Sequence, residues 1–313
     1  MKKKILVISS ANMDFVMRVG EIPTAGRTVI ESRTYRYVPG GKGANSALAF
    51  SRLGADCVFC TRLGQDANGE VLKSLYESAG IDTRYIVNDE THPTGLAVIM
   101  VEDEGANRII VYPGANEAVC RADVEAALNC RPDAVFMQLE IGEQAILDAA
   151  AMAAERAIPV FVDAGPARMD FPLAAMAEMT VLSPNESETE IFTGINPDTE
   201  ENCIAAAKKL AAMGNAQYIV IKLGGRGAFV WDTEAVYGEL IASYPTQAVD
   251  TTAAGDAFTA ALTLEYLRSG DIFRAVRYGN AVGSITVSRA GASTSIPTAS
   301  EVDAFLEQCG ISL

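Results

Sequence analysis

VDTTAAGDAF, Val249 to Phe258, carries two charges, Asp250 and Asp256, and no Lys, His or Cys. It runs into DAFTAALTLEYLRSG, Asp256 to Gly270, whose apolar spacing predicts a helix closed by Gly270. The first N–H groups of a helix have no partner inside it and lie at the positive end of its dipole. Three small residues, Ala253, Ala254 and Gly255, clear the space before them, so an anionic group could reach those donors. Asp256 then has two readings: a favourable charge in a first helical turn, or a base beside a bound phosphoryl group. Its surroundings have to choose.

Outward from this stretch, apolar runs alternate with helical patterns. KKILVIS (3–9), CVFCTRLG (57–64), AVFMQL (134–139), IPVFVD (158–163), MTVLSP (179–184) and YIVIKLG (218–224) read as buried strands. Several are apolar almost throughout, as parallel strands are. NGEVLKSLYESAG (68–80), EQAILDAAAMAAERA (143–157) and ENCIAAAKKLAAMG (201–214) read as helices, with Gly80 and Gly214 where C-terminal caps belong. This rhythm predicts an α/β fold: a doubly wound, mostly parallel sheet flanked by helices. Two stretches break it. RTVIESRTYRYVPGG (27–41) and TGLAVIMVEDEGANRIIVYPG (94–114) alternate apolar and polar residues around turn signals. They predict half-exposed antiparallel strands, the second a hairpin with DEGAN (103–107) as its loop. An apolar face on such a small sheet needs a ligand cleft or another subunit.

Two further Gly-rich stretches precede or follow predicted elements. PGGKGANSALAFSRLG (39–54) sets Gly40, Gly41, Lys42, Gly43 and Asn45 at the start of a helix, but lacks the spacing of a Walker A loop. KLGGRGAF (222–229) follows a strand and lacks the dinucleotide fingerprint, which argues against a dehydrogenase. Each reads either as a turn or as backbone able to approach a ligand closely.

Composition narrows the classes. At 313 residues, the chain has room for one large domain or two ordinary ones. A formal charge of −15 argues against a nucleic-acid or anionic-membrane surface, without excluding one phosphorylated ligand. No apolar run is long enough to span a bilayer, and MKKKILVISS reads as a first strand rather than a signal peptide. Six Cys then suggest reduced thiols in a cytoplasmic protein. Cys57 and Cys60 lie three apart on a predicted strand, facing opposite sides, as core residues rather than a metal or redox pair. His92, the only His, reads as a loop residue, so His-based triads are excluded.

In this order the motifs resemble the ribokinase-type (PfkB) carbohydrate kinases. GGKGAN (40–45) is similar to the first family signature, DTTAAGDAF (250–258) to the second, and PNESE (184–188) to the N-x-x-E element between them. MQLE (137–140) and DAGPAR (163–168) also sit where the family has similar stretches. The resemblance runs from SSANMDFV (9–16) to GASTSIP (291–297), essentially the whole chain.

The resemblance implies one ribokinase-like domain over 1–313, with an antiparallel β lid formed by segments of roughly 12–42 and 94–114. It implies an ATP-dependent sugar kinase that passes the γ-phosphoryl group to a hydroxyl, D-ribose at its 5-hydroxyl being the expected acceptor. Deoxyribose, fructose, 2-keto-3-deoxygluconate or a nucleoside are alternatives, as is a non-catalytic sugar-binding regulator. Asp256 would be the base, with the N–H groups around Ala253, Ala254 and Gly255 as an anion hole. Asn12, Asp14, Gly41, Lys42, Asn45 and Glu140 match sugar contacts. Asn185 and Glu188 match residues near phosphate and Mg²⁺; Lys222, Gly224, Gly227 and Asn280 match the ATP site. Asp250 and Ser295, with the carbonyls of Thr252, Thr286, Arg289 and Gly291, match ligands of a monovalent cation, usually K⁺. A homodimer through the lid is the implied assembly.

Overall fold

A computed structural model describes residues 2–31, 33–103 and 107–311. Its strands are β1 (Lys4–Ile8), β2 (Asn12–Val19), β3 (Tyr35–Gly40), β4 (Asp56–Gly64), β5 (Asp82–Asp89), β6 (Gly95–Glu102), β7 (Asn107–Tyr112), β8 (Ala134–Gln138), β9 (Val160–Asp163), β10 (Met179–Ser183), β11 (Ala216–Lys222), β12 (Ala228–Asp232) and β13 (Tyr237–Ile241). The helices are α1 (Lys42–Arg52), α2 (Ala67–Ser78), α3 (Arg121–Leu128), α4 (Glu143–Glu155), α5 (Glu186–Thr193), α6 (Glu200–Met213), α7 (Ala254–Ser269), α8 (Ile272–Val287) and α9 (Ala299–Gln308).

The apolar runs assemble into a nine-stranded sheet of order β13-β12-β11-β10-β9-β8-β1-β4-β5. Its strands pair in parallel except at one edge, where β11, β12 and β13 turn back on each other. Buried on both faces, β1 sends Ile5 and Val7 into one apolar cluster and Leu6 and Ile8 into the other. Cys57 and Cys60 divide between the two clusters in the same way. β4 joins β1 on one side and β8 on the other, so the winding reverses at β1. In open α/β sheets a crevice forms at the carboxyl ends of the strands where that reversal occurs.

β3 from the first stretch and β6 and β7 from the second join β2, which lies in neither, in a separate four-stranded sheet, β3-β2-β6-β7; residues 27–31 of the first stretch form no strand. β2–β3 and β6–β7 are antiparallel as expected, while β2 and β6 run parallel at its centre. Of the expected DEGAN loop, residues 104–106 lie outside the described residues. β7 is exposed along its whole length, and Phe15, Tyr35 and Tyr37 pack together with ring centroids 5.3–6.4 Å apart.

The helix after Gly255 forms as expected and ends on Gly270, in the left-handed conformation at φ 71°. It is buried without interruption from Asp256 to Glu265, which fits a sequence apolar all round. Gly80 closes α2 at φ 75°. Gly214 follows α6 in an extended conformation instead, its N–H donating to the Leu210 carbonyl.

Candidate active site

Asp256 lies in the first turn of α7, 6% exposed. Asn45 Nδ2 donates to its Oδ2 at 2.9 Å and Gln138 Nε2 to its Oδ1 at 3.2 Å. Gln138 is itself held by Ser9, whose hydroxyl donates to its Oε1 at 2.9 Å. Burial pushes the Asp256 carboxyl up to about 6; Lys42 opposes this, Asp163 adds to it, and the Asn45 hydrogen bond and Lys222 pull it back. Ahead of it, Ala253 adopts φ 62°, a conformation that non-glycine residues seldom take, and no side chain caps the helix. Such a left-handed step into a helix forms a concavity of backbone N–H groups suited to an anion. A Cβ at Gly255 would meet nothing nearer than Lys222 Nζ, at 3.8 Å. The space in front of these donors is open.

On one side of Asp256 lie polar groups with spare acceptors. Asn45 Oδ1 is buried without a hydrogen-bond partner. The Asp14 carboxyl, near the start of β2, takes no hydrogen bond from another described residue. Burial, then the nearby Glu140, raise its carboxyl to about 7. A side chain at Gly40 would collide with that carboxylate. Glu140 accepts from the Ser10 hydroxyl and from the Lys42 backbone N–H, at 3.0 Å for the latter. Asn12 is buried and its Oδ1 accepts from Asn116 Nδ2 at 2.7 Å. Gly41, at φ 90°, turns the chain into α1 against the Asn12 backbone.

The other side opens into a cavity of about 350 Å³. Lys222, Gly224, Gly225 and Gly227 line it together with Ala254, Gly255, Asn280 and Ser284. Gly224–Arg226 is also the turn of the β11–β12 hairpin, so the turn expected of that loop lines the cavity. Asn280 spends its two amide hydrogens on the carbonyls of Ile241 and Ala242, at 3.0 and 3.1 Å. The Ser284 hydroxyl donates to the Tyr244 carbonyl at 3.3 Å.

Asn185 and Glu188 are a capping box for α5: Asn185 Oδ1 accepts from the Glu188 N–H at 2.9 Å, and Glu188 Oε2 from the Asn185 N–H at 2.8 Å. Glu188 Oε1 is left against Gly165, whose missing side chain makes room for it. The Lys42 ammonium makes no ion pair or hydrogen bond with another described residue. Its pKa is held above the usual lysine range by Asp256 first, with Asp163, Glu188 and Glu140 adding, against burial.

Of the predicted cation ligands, hydrogen bonds join Asp250, Thr252 and Gly291 directly. Asp250 accepts from the N–H and hydroxyl of Thr252, at 3.0 and 2.7 Å, and from the Gly291 N–H at 3.1 Å. Those donors hold its carboxyl below the usual range against a desolvation that acts the other way. Ser295 is buried, its hydroxyl on the Ala292 carbonyl at 2.7 Å. The Arg289 side chain pairs with Glu301, the Thr286 hydroxyl bonds back into α8, and the Thr286 carbonyl accepts from the Arg289 N–H at 3.2 Å.

A model of the pfkB family of carbohydrate kinases matches residues 2–299. The chain belongs to this family. Among the pfkB proteins it resembles is a ribokinase of Haemophilus influenzae, 33% identical over 309 residues, with 98% of this chain and 99% of that one covered. A deoxyribokinase of Salmonella typhi is 28% identical over 96% of this chain and 98% of its own length. The chain also matches a bifunctional ribokinase/ribose-5-phosphate isomerase A of Fructilactobacillus sanfranciscensis at 34%, spanning 55% of that longer protein. In three dimensions it superposes on an Arabidopsis thaliana ribokinase complexed with ribose and ATP, with a TM-score of 0.89 at 30% identity, covering 98% and 99% of the two chains. As a pfkB member it is a carbohydrate kinase, a phosphotransferase acting on an alcohol.

Several residues of the candidate site are not singled out by the sequence motifs, among them Ser9, Ser284 and the following five. Gln138 and Ser10 hold Asp256 and Glu140 in place, Asn116 holds Asn12, and Asp163 and Thr259 form an ion-pair cluster with Lys222. Gln138 and Asp163 stood inside the stretches MQLE and DAGPAR, a visible signal whose use depended on register.

Proposed function

We propose that this protein transfers the γ-phosphoryl group of ATP to the 5-hydroxyl of D-ribose. The observation that carries the reading is the position of Asp256: a buried carboxylate in the first turn of an uncapped helix, between acceptor-rich side chains and a cavity. A sugar presents hydroxyl donors, and Asp14, Asn45 Oδ1 and Glu140 supply acceptors with capacity to spare. ATP fills the cavity with its phosphates toward Ala254 and Gly255. Catalysis of phosphoryl transfer is largely alignment and charge stabilisation. Asp256 takes the hydroxyl proton as the sugar oxygen bonds to phosphorus; the bond to the ADP oxygen breaks, and its electron pair leaves on that oxygen. The N–H groups at the start of α7 meet the charge on the moving group, and Lys42 bridges the sugar and phosphate ends.

Mg²⁺ would enter with the nucleotide, near Glu188 Oε1, and supplies charge neutralisation when bound. A monovalent cation fits the Asp250 loop by donor chemistry, since carboxylate, hydroxyl and carbonyl oxygens suit K⁺. It would lock the Thr252 and Gly291 segments against the helix start. The small sheet acts as a lid that excludes water from the sugar. Its exposed face, with Tyr35, Tyr37, Ile110 and Tyr112 each more than half exposed, is the reason to propose a homodimer through the lid. Six free cysteines accord with a reducing, cytoplasmic setting, and among the described residues no helix is long and apolar enough to cross a membrane.

The test is ADP release from purified protein with Mg-ATP and K⁺, against ribose, deoxyribose, fructose, 2-keto-3-deoxygluconate and several nucleosides. Ribose should give the highest kcat/KM. Deoxyribose is the second reading, supported by the Salmonella deoxyribokinase similarity. A better acceptor among the others would replace ribose, and binding without any turnover would make the protein a sugar-responsive regulator.

A further inference from the structure

Lys222 stands at the end of β11 with its backbone N–H on the Pro184 carbonyl at 2.8 Å. Its side chain, 11% exposed, sends Nζ to Asp163 Oδ1 at 2.7 Å, and Asp163 is 2% exposed. Asp163 Oδ2 accepts from the Thr259 hydroxyl at 2.9 Å, and Thr259 Oγ1 lies 3.4 Å from Nζ. An ammonium has three hydrogens to donate. Asp163 and Thr259 account for two, and Lys222 lines the cavity that the third can face. That ammonium is the nearest neighbour of the open space at Gly255, in the first turn of α7.

Burying an ion pair is expensive, and an apolar pair of similar volume is often as stable or more so. Packing alone therefore gives no reason for this cluster. Its position does. The helix N-terminus and the Lys222 ammonium converge on one small volume, whose only plausible common partner is an anion.

We infer that Lys222 is a catalytic residue whose ammonium contacts the transferring phosphoryl group, with Asp163 and Thr259 as positioning residues that aim it. This rests on the kinase reading above. As the sugar oxygen–phosphorus bond forms and the phosphorus–oxygen bond to ADP breaks, negative charge shifts along the transferred group toward the departing oxygen. The proton from the alcohol goes to Asp256. Lys222 exchanges none; it supplies a fixed positive charge along that path. Asp163 keeps the ammonium on the floor of the helix mouth rather than in solvent.

Lys222→Met keeps the length and removes the charge. Four readings are taken on parent and variant: kcat and KM with the best sugar, thermal midpoint, affinity for ADP, and affinity for ADP with aluminium fluoride as a mimic of the moving group. Loss of one preorganised donor at such a site costs on the order of a hundred- to a thousandfold in kcat. That loss is expected, with most of the added affinity for aluminium fluoride gone and affinity for ADP alone changed less than about tenfold. Asp163→Asn should lower kcat with the sugar KM unchanged. If the lone Asp163 left by Lys222→Met prevents folding, the double variant Lys222→Met with Asp163→Leu removes both charges and should show the same kcat loss. A folded variant with kcat within threefold of the parent, or one in which both nucleotide affinities fall equally, overturns the assignment and leaves the kinase reading intact. A parent enzyme inactive on every sugar overturns both.

Discussion

Replacing Asp256 by Asn separates the catalytic use of this carboxylate from its structural effect. Its pKa rises from 3.8 to about 6 on folding, chiefly through burial. Roughly two units correspond to about 3 kcal/mol between the protonated and ionised forms. The folded value lies above the unfolded one, so the fold favours the protonated acid. That contribution is complete below about pH 4 and is lost as pH rises through the folded value near 6. Asparagine carries no charge at any pH. Its amide nevertheless turns one donor toward Asn45 Nδ2 or Gln138 Nε2, a mismatch of about 1–3 kcal/mol. The absolute stability of the variant thus mixes opposing effects, whereas its pH dependence does not. Between pH 4 and 8 the parent should lose up to about 3 kcal/mol relative to Asp256→Asn. At roughly 2 cal/mol/K per residue for the entropy of unfolding, that is about 4–5 °C in relative Tm for a chain of 313 residues.

Paired thermal melts across that range and steady-state rates form the assay. The rate of Asp256→Asn should fall on the order of a hundred- to ten-thousandfold while sugar still binds. In the parent, kcat should fall on the acid side with a midpoint near 6, where the base becomes protonated. Parallel melting curves at every pH would refute the buried-charge argument. A variant within tenfold of the parent rate would refute the base.

Asp14→Asn should raise the sugar KM about ten- to a hundredfold with a smaller change in kcat, because it puts an amide NH₂ where a carboxyl oxygen accepts; isothermal titration with the sugar checks this. Asp250→Ala should bring the rate in K⁺ down to that measured in tetramethylammonium, and a variant still stimulated by K⁺ would rule out that loop as the cation site. Asn280 and Ser284 give their hydrogens to backbone carbonyls and keep acceptor oxygens for the cavity, so ADP should bind more tightly than GDP or IDP; equal affinities would discard this. Ile110→Glu on exposed β7 should shift the sedimentation coefficient from dimer to monomer, and an unchanged profile would remove the lid from the interface.

What could be read from the residues follows the physics of each element. β1, β4, β8, β9, β10 and β11 are buried on both faces, and burial writes itself as continuous apolar runs. β5 and β13 are sheet edges with mixed exposure, and DTRYIVND and YGELI carry no comparable run. At the site, Asp256 was legible because a helix start is a local event. Gln138 is not local: it meets Asp256 across 118 positions, Asn116 meets Asn12 across 104, and Thr259 meets Asp163 across 96. Those pairings exist through sheet register and helix placement, neither of which spacing alone encodes. The N-x-x-E element shows a different limit. Asn185 and Glu188 cap α5 while Glu188 Oε1 is left against Gly165, and no sequence pattern divides one residue between a cap and a second contact.

The charges around the reaction centre pose a problem that the geometry resolves. Asp14, Glu140, Asp163, Glu188 and Asp256 outnumber Lys42 and Lys222, in a chain already at −15, yet the proposed co-substrate is a polyanion. Long-range attraction cannot draw it in. Segregation can hold it once there. The unpaired acceptors of the Asp14 carboxyl and Asn45 Oδ1 lie on the side proposed for the sugar, where hydroxyls would supply hydrogens. The cavity proposed for the nucleotide offers the first N–H groups of α7, the Gly224–Gly227 turn and the Lys222 ammonium. Asp163 is spent on that ammonium, and Glu188 partly on its own helix cap. The proposed sugar and phosphate ends are thus lined by groups of opposite hydrogen-bonding sense, with Asp256 on the boundary. A base belongs there, because it accepts a proton from one ligand while the phosphoryl group of the other arrives at its own helix turn.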